Sequence, residues 1–183
     1  EMDGTAFDRV TARIDGYRDE AIALEKKLTA IPAVCPKSGG KGELAKCLAV
    51  EEVLRGYGVT QLERIDAPDP EADGGVRPNL IARIAGAAHD RTVWVMSHLD
   101  IVPEGDLKKW DSPPFEARVD GDKVYGRGVE DNQQGIVASL LVAKALTEAQ
   151  VTPAFDVALL FVADEETGSE FGIQHLLKRN RQM

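Results

Sequence analysis

The sequence has no run of about 20 apolar residues, which excludes a membrane-spanning helix. Its start carries Glu1, Asp3 and Asp8 where a secretory signal would carry a basic segment before an apolar one. Only two cysteines occur, Cys35 and Cys47, too few for a disulfide framework or a zinc ribbon. Cys47 falls on an apolar helical face and reads as a buried thiol. Positive charge is also sparse: 22 Lys and Arg against 31 Asp and Glu give a formal charge of −9. Phosphate contacts dominate nucleic-acid affinity, so that balance argues against a nucleic-acid partner. The small cluster Lys178, Arg179 and Arg181 reads as the basic last turn of a helix. A cytoplasmic protein with no membrane partner is expected.

What is present is ordinary for a globular chain of 183 residues: 43% hydrophobic and 29% charged. Apolar residues recur at helical spacing from Thr5 to about Thr29, until Pro32 and Pro36 intervene. A second helix is predicted from Glu43 to about Gly56, with Gly58 as its C-terminal cap. Ala67 to Pro78 reads as a surface loop. Asn79–Ile84 and Thr92–Met96 read as neighbouring strands, and Glu116–Val119 with Lys123–Tyr125 as a hairpin. A third helix is predicted from Asn132 to about Glu148, and a last one from near Glu170. Between them Phe155–Ala163, the most hydrophobic run, reads as a central strand covered on both faces. Helices alternating with apolar strands predict an α/β domain.

Three places carry chemistry. Ser97-His98-Leu99-Asp100 follows a strand, and ligands of open α/β sheets gather outside the carboxyl ends of strands. His98 and Asp100 lie two apart, so in extended backbone they share a side. A metal-binding imidazole usually donates its other N–H to a carboxylate, and Asp100 is placed for that orienting task. A His–Asp pair that only tidies a strand end is the plainer reading. Next, Tyr125-Gly126-Arg127-Gly128-Val129-Glu130-Asp131-Asn132 opens a helix. Asp131 either caps that helix or bridges two metal ions, which sit roughly 3.5–4 Å apart in two-metal hydrolases. Finally, Asp164-Glu165-Glu166 ends the most apolar strand, where three carboxylates repel unless cations neutralise them. Glu165 and Glu166 point differently, so one can bind metal while the other takes a proton from a metal-held water. An acidic turn in solvent is the alternative. The three places lie about one strand–helix unit apart, which lets them meet at one sheet edge.

Ser-His-Leu-Asp-Ile-Val-Pro (97–103), Trp110 with Pro113-Pro114-Phe115, Tyr-Gly-Arg-Gly-Val-Glu-Asp (125–131) and Asp-Glu-Glu-Thr-Gly-Ser (164–169) occur in a familiar order. They resemble the zinc metallopeptidase and deacylase family of acetylornithine deacetylase, succinyl-diaminopimelate desuccinylase, aminoacylase and carboxypeptidase G. The resemblance implies a three-layer α/β domain with a mixed, mostly parallel central sheet. It implies two divalent metal ions, zinc foremost, with cobalt or manganese as alternatives. His98 resembles a ligand of one metal, Asp131 the bridge and Glu166 a ligand of the other. Glu165 resembles the general base and Asp100 the partner that orients His98. Trp110 and Phe115 resemble structural members of the intervening loop. Ser97 stands where many members have Gly, and Asn132-Gln133-Gln134 where many have Met-Lys-Gly, but no ligand position changes.

The same resemblance predicts that residues 1–183 are the N-terminal portion of a catalytic domain. A further acidic ligand, a last His and a lid and dimerisation domain are expected beyond it, and His175 is a poor substitute for the missing His. The parent is then expected to be a homodimeric hydrolase of dipeptides, N-acyl amino acids or C-terminal residues. This chain alone is expected to be inactive. A non-catalytic metal-binding or small-molecule-binding remnant is the competing reading.

Overall fold

The computed structural model describes residues 5–179. Residues Glu1, Asp3 and Arg181, used above, lie outside them. The single helix expected from Thr5 to Thr29 is two, α1 (Ala6–Ile14) and α2 (Arg18–Thr29), broken at Asp15-Gly16. Thr5 starts α1 with a capping box, its Oγ1 accepting the Asp8 N–H and the Asp8 carboxylate accepting the Thr5 N–H. α3 (Leu44–Gly56) follows, then β1 (Leu62–Pro68), β2 (Val76–Ile84) and β3 (Ala88–His98). A hairpin, β4 (Arg118–Asp120) and β5 (Lys123–Tyr125), precedes α4 (Gln134–Glu148), β6 (Phe155–Val162) and α5 (Ile173–Arg179).

The main sheet is ordered β1-β2-β6-β3. β2 is antiparallel to both β1 and β6, while β3 runs parallel to β6. The sheet is therefore mixed, with three of its strands pointing one way and β2 the other. β2 and β3, expected as neighbours, are separated by β6 because the most apolar strand takes the central place. β1 was not anticipated: Glu63, Arg64 and Asp66 break its apolar alternation, as suits an edge strand.

Leu24 and Leu28 of α2, Cys47, Val50 and Leu54 of α3, and Ile136 and Leu140 of α4 bury one sheet face against Leu80, Leu159 and Phe161. Each such side chain contributes about 1.5–3 kcal/mol by leaving water. On the other face Leu176 and Ile173 of α5 cover Ile65, Ile81, Leu160 and Val162. These are the three layers, and β6 is sandwiched as its composition predicts. No helix among the described residues is long and apolar enough to cross a membrane.

Candidate metal centre

The parallel pairing of β3 and β6 decides where the chemistry gathers. His98 lies opposite Val162, so the two strands end together and their following residues emerge side by side. The Leu99 N–H continues the ladder onto the Val162 carbonyl at 2.8 Å. α4 begins at the same edge after a wide helical turn, Val129–Gln133, in which Asp131 and Asn132 leave helical backbone. Asn132 Oδ1 accepts the His98 N–H at 3.2 Å and pins that turn to the end of β3.

His98 Nε2 lies 2.9 Å from Asp131 Oδ1 and 4.0 Å from Glu165 Oε2. His98, Asp131 and Glu166 each offer a ligand atom, and these atoms all lie within 4.8 Å of one another. Asp131 does not cap α4; its side chain is 73% exposed and faces the imidazole. Nδ1 of His98 lies 3.0 Å from the Asp100 carbonyl and 3.4 Å from its carboxylate, so Asp100 engages the ring through backbone and side chain together. Burial pulls the His98 pKa down, but the bonds to Asp100 and Asp131 outweigh it and raise it to about 9. Burial, and then the nearby Asp131 charge, raises the Glu166 pKa. The carboxylates around His98 favour a cation there, and the nitrogen–oxygen donor set suits zinc and similar divalent ions. The residues thus fit a divalent metal.

Beneath this surface lies a charged layer that the motifs did not reveal. Asp164, the first of the three consecutive carboxylates, faces the buried Arg77 guanidinium at 3.4 Å. Arg77 also clamps Glu43, which is fully buried. Lys46, likewise fully buried, donates to Gln133 Oε1 at 2.8 Å, two residues after Asp131. The available signal was Lys46 itself: it falls beside Cys47 and one turn before Val50, a charge on a face that must be buried. Arg77 lay in a segment read as loop and gave none.

Next to the centre a cleft of about 450 Å³ runs past Trp110, Arg127 and Glu130 to Asp131 and Glu166. Arg127 stacks over Trp110 with its guanidinium carbon 5.2 Å from the ring centroid, and the indole N–H donates to the Glu104 carbonyl at 2.9 Å. These contacts agree with a structural part for Trp110. Phe115 lines a separate depression with Pro32 and Gly40. His175 lies on α5 with Nε2 buried and without a hydrogen-bond partner among the described residues.

Residues 94–183 match peptidase family M20/M25/M40. An uncharacterized metallohydrolase of Methanococcus maripaludis is 39% identical over 163 residues, covering 87% of this chain and 39% of the relative. The succinyl-diaminopimelate desuccinylase of Delftia acidovorans is 36% identical, covering 88% of this chain and 40% of the relative. The chain belongs to the M20 metallohydrolase family. Membership implies use of a divalent metal. This M20 chain spans about two fifths of the length of the curated relatives it matches. Its fold is shared with the di-peptidase Dug1p of Saccharomyces cerevisiae, at TM-score 0.80 and 24% identity over 96% of this chain and 38% of the other. Human carnosine dipeptidase 1 gives TM-score 0.80 at 23% identity, over 97% and 38% of the two chains.

Proposed function

We propose that this chain supplies the metal-holding and proton-transferring residues of a divalent-metal-dependent hydrolase of amide bonds. The supporting observation is the convergence of His98, Asp131 and Glu166 from three separate segments onto one small volume. His98 would hold one ion, Glu166 the other, and Asp131 both. Zinc suits these donors best, with cobalt and manganese as alternatives. Such ions, when bound, polarise a carbonyl and lower the pKa of a water to about 7.

The chain's own residues do the rest. Glu165 is the general base: its side chain is 54% exposed, free to accept a proton from water and return it to the departing amine. Asp100 holds His98 by its Nδ1 side, which leaves Nε2 to face the ligand site. The adjoining cleft receives the substrate. Similarity to proteins named as di-peptidase and desuccinylase favours a small peptide or an N-acyl amino acid. The parent protein is proposed to act as a homodimer, with further ligands outside this chain.

The test is metal analysis with single-turnover chemistry on the longer parent protein. Two equivalents of zinc and hydrolysis of a dipeptide or acyl-amino acid panel are expected, with Glu165→Gln lowering turnover about 10²- to 10⁴-fold while both metals stay. Retained turnover in that variant rules out Glu165 as base. Failure of the parent to bind metal rules out the centre and leaves only the non-catalytic small-molecule-binding reading.

A further inference from the structure

The acidic turn after β6 is held from below by groups that take no part in the proposed chemistry. Arg77, only 1% exposed, projects from β2 and grips the Glu43 carboxylate with both Nε and Nη2, the former at 2.6 Å. Glu43 stands just before α3, and its Oε1 accepts the backbone N–H of Asp164 at 3.2 Å. Arg77 Nη2 reaches the Asp164 carboxylate at 3.4 Å, and Nη1 reaches Asp69 at the same distance. Asp164 also accepts the Thr167 hydroxyl and the Phe171 N–H, the latter at 3.1 Å. Its backbone is left-handed, with φ 63°, a conformation few residues other than glycine adopt. That kink turns the chain out of β6 and sends Glu165 and Glu166 towards His98 and Asp131.

A buried ion pair is a poor way to stabilise a core, because removing two charges from water offsets most of their attraction. Apolar residues of equal volume would serve stability as well. What this pair provides that apolar residues could not is a set of directional contacts. Each partner directs one of them at Asp164, the residue immediately before the candidate base and ligand. Arg77 belongs to β2, on the far side of β6 from β3, and Glu43 to the start of α3. Two elements that carry no candidate ligand therefore fix the direction in which the ligands point.

We propose that Glu43 and Arg77 are positioning residues of the metal centre, holding Asp164 in its left-handed kink and thereby aiming Glu165 and Glu166. This rests on the reading of Glu166 as a ligand. The variants are Arg77→Lys, which keeps the charge but loses the two-pronged grip, and the paired change Glu43→Leu with Arg77→Met, which removes both charges together. Three quantities are read on each: the melting midpoint in chelator, zinc affinity by competition with a chelating dye, and amide exchange at Glu165 and Glu166. We expect Arg77→Lys to stay folded, to bind zinc about 10- to 100-fold more weakly, and to lose exchange protection at the two amides. Adding Glu166→Gln to it should then cost little further affinity, whereas in the parent sequence Glu166→Gln alone should cost at least about tenfold.

A purely structural pair would lower the melting midpoint yet leave zinc affinity and amide protection of the folded variant unchanged. That result overturns the proposal, and the paired variant decides it in the same way if Arg77→Lys does not fold. If the unaltered chain binds no zinc, the metal reading fails by itself. Exchange at Glu165 and Glu166 then still decides whether the pair holds the turn.

Discussion

The carboxylate of Asp100 accepts the backbone N–H of Glu166 at 2.9 Å. Its other oxygen accepts the N–H of Glu165 at 3.1 Å, while its carbonyl faces His98 Nδ1. One residue at the end of β3 thus ties the imidazole to the acidic turn after β6. Asp100 does more than orient a ring: it sets the distance between two groups that arrive from different strands.

Replacing it should therefore harm metal binding beyond the loss of one hydrogen bond. Asp100→Asn keeps one acceptor but turns an N–H donor towards a backbone N–H. We expect zinc affinity to fall about 10- to 100-fold and stability to fall by about 1–3 kcal/mol, the cost of a buried donor left without its acceptor. Chelator competition and urea denaturation measure the two effects. Unchanged affinity would show that the turn holds its place without Asp100.

Metal binding should also register as stability. Zinc at about 100 times its dissociation constant adds about 2.7 kcal/mol to a folded state that alone binds it. For a chain of this size that amounts to a rise of about 5–10 °C in the melting midpoint. His98→Ala and Glu166→Gln should each remove most of the rise, measured against each variant's own metal-free midpoint. An equal rise in His98→Ala would put the bound ion elsewhere.

Why are the candidate ligands legible in the sequence and their supports not? His98, Asp131 and Glu166 follow apolar segments or open a helix, so period and punctuation alone locate them at element ends. Their meeting depends on β3 and β6 being parallel neighbours, and the hydrophobicity of Phe155–Val162 pointed to the central place of β6. The pairing order was misread, because adjacency in sequence suggested that β2 and β3 touch, and nothing local reports which strand intervenes. β1 was hidden by the charges of an exposed edge. Glu43 and Arg77 were invisible for another reason: each looks like a surface charge until the fold brings it to the other. Asp15-Gly16 signals the break between α1 and α2, but the apolar repeat that runs through it predicts one continuous helix.

Glu165 gives a kinetic prediction in the longer parent protein. Glu165→Gln preserves shape and hydrogen bonding but cannot take a proton, so turnover should fall about 10²- to 10⁴-fold. Zinc content should stay within error of the parent, since the side chain is not among the clustered ligand atoms. Turnover within a few-fold of the parent would assign the proton transfer to another group.

Glu25 lies buried on α2 at the foot of the same polar layer. Gln133 Nε2 approaches its carboxylate at 3.4 Å, and Lys46 on α3 is the cation that faces it. Burial dominates both partners and pushes the Glu25 carboxyl up to about 7, from an ordinary value of 4.5. Between those two values the folded chain keeps a proton that the unfolded chain releases. Its contribution to stability is therefore complete below pH 4.5, declines as pH rises, and is gone above about 7. Lys46 does not blur the window, since burial lowers its pKa only to about 8. Glu25→Gln imitates the protonated acid at every pH. We expect the variant to match the parent near pH 4.5 and to exceed it by on the order of 2 kcal/mol near pH 7.5. Urea denaturation across that range measures the difference. A gap that stays constant with pH would mean that Glu25 is ionised throughout, with Lys46 as a full partner.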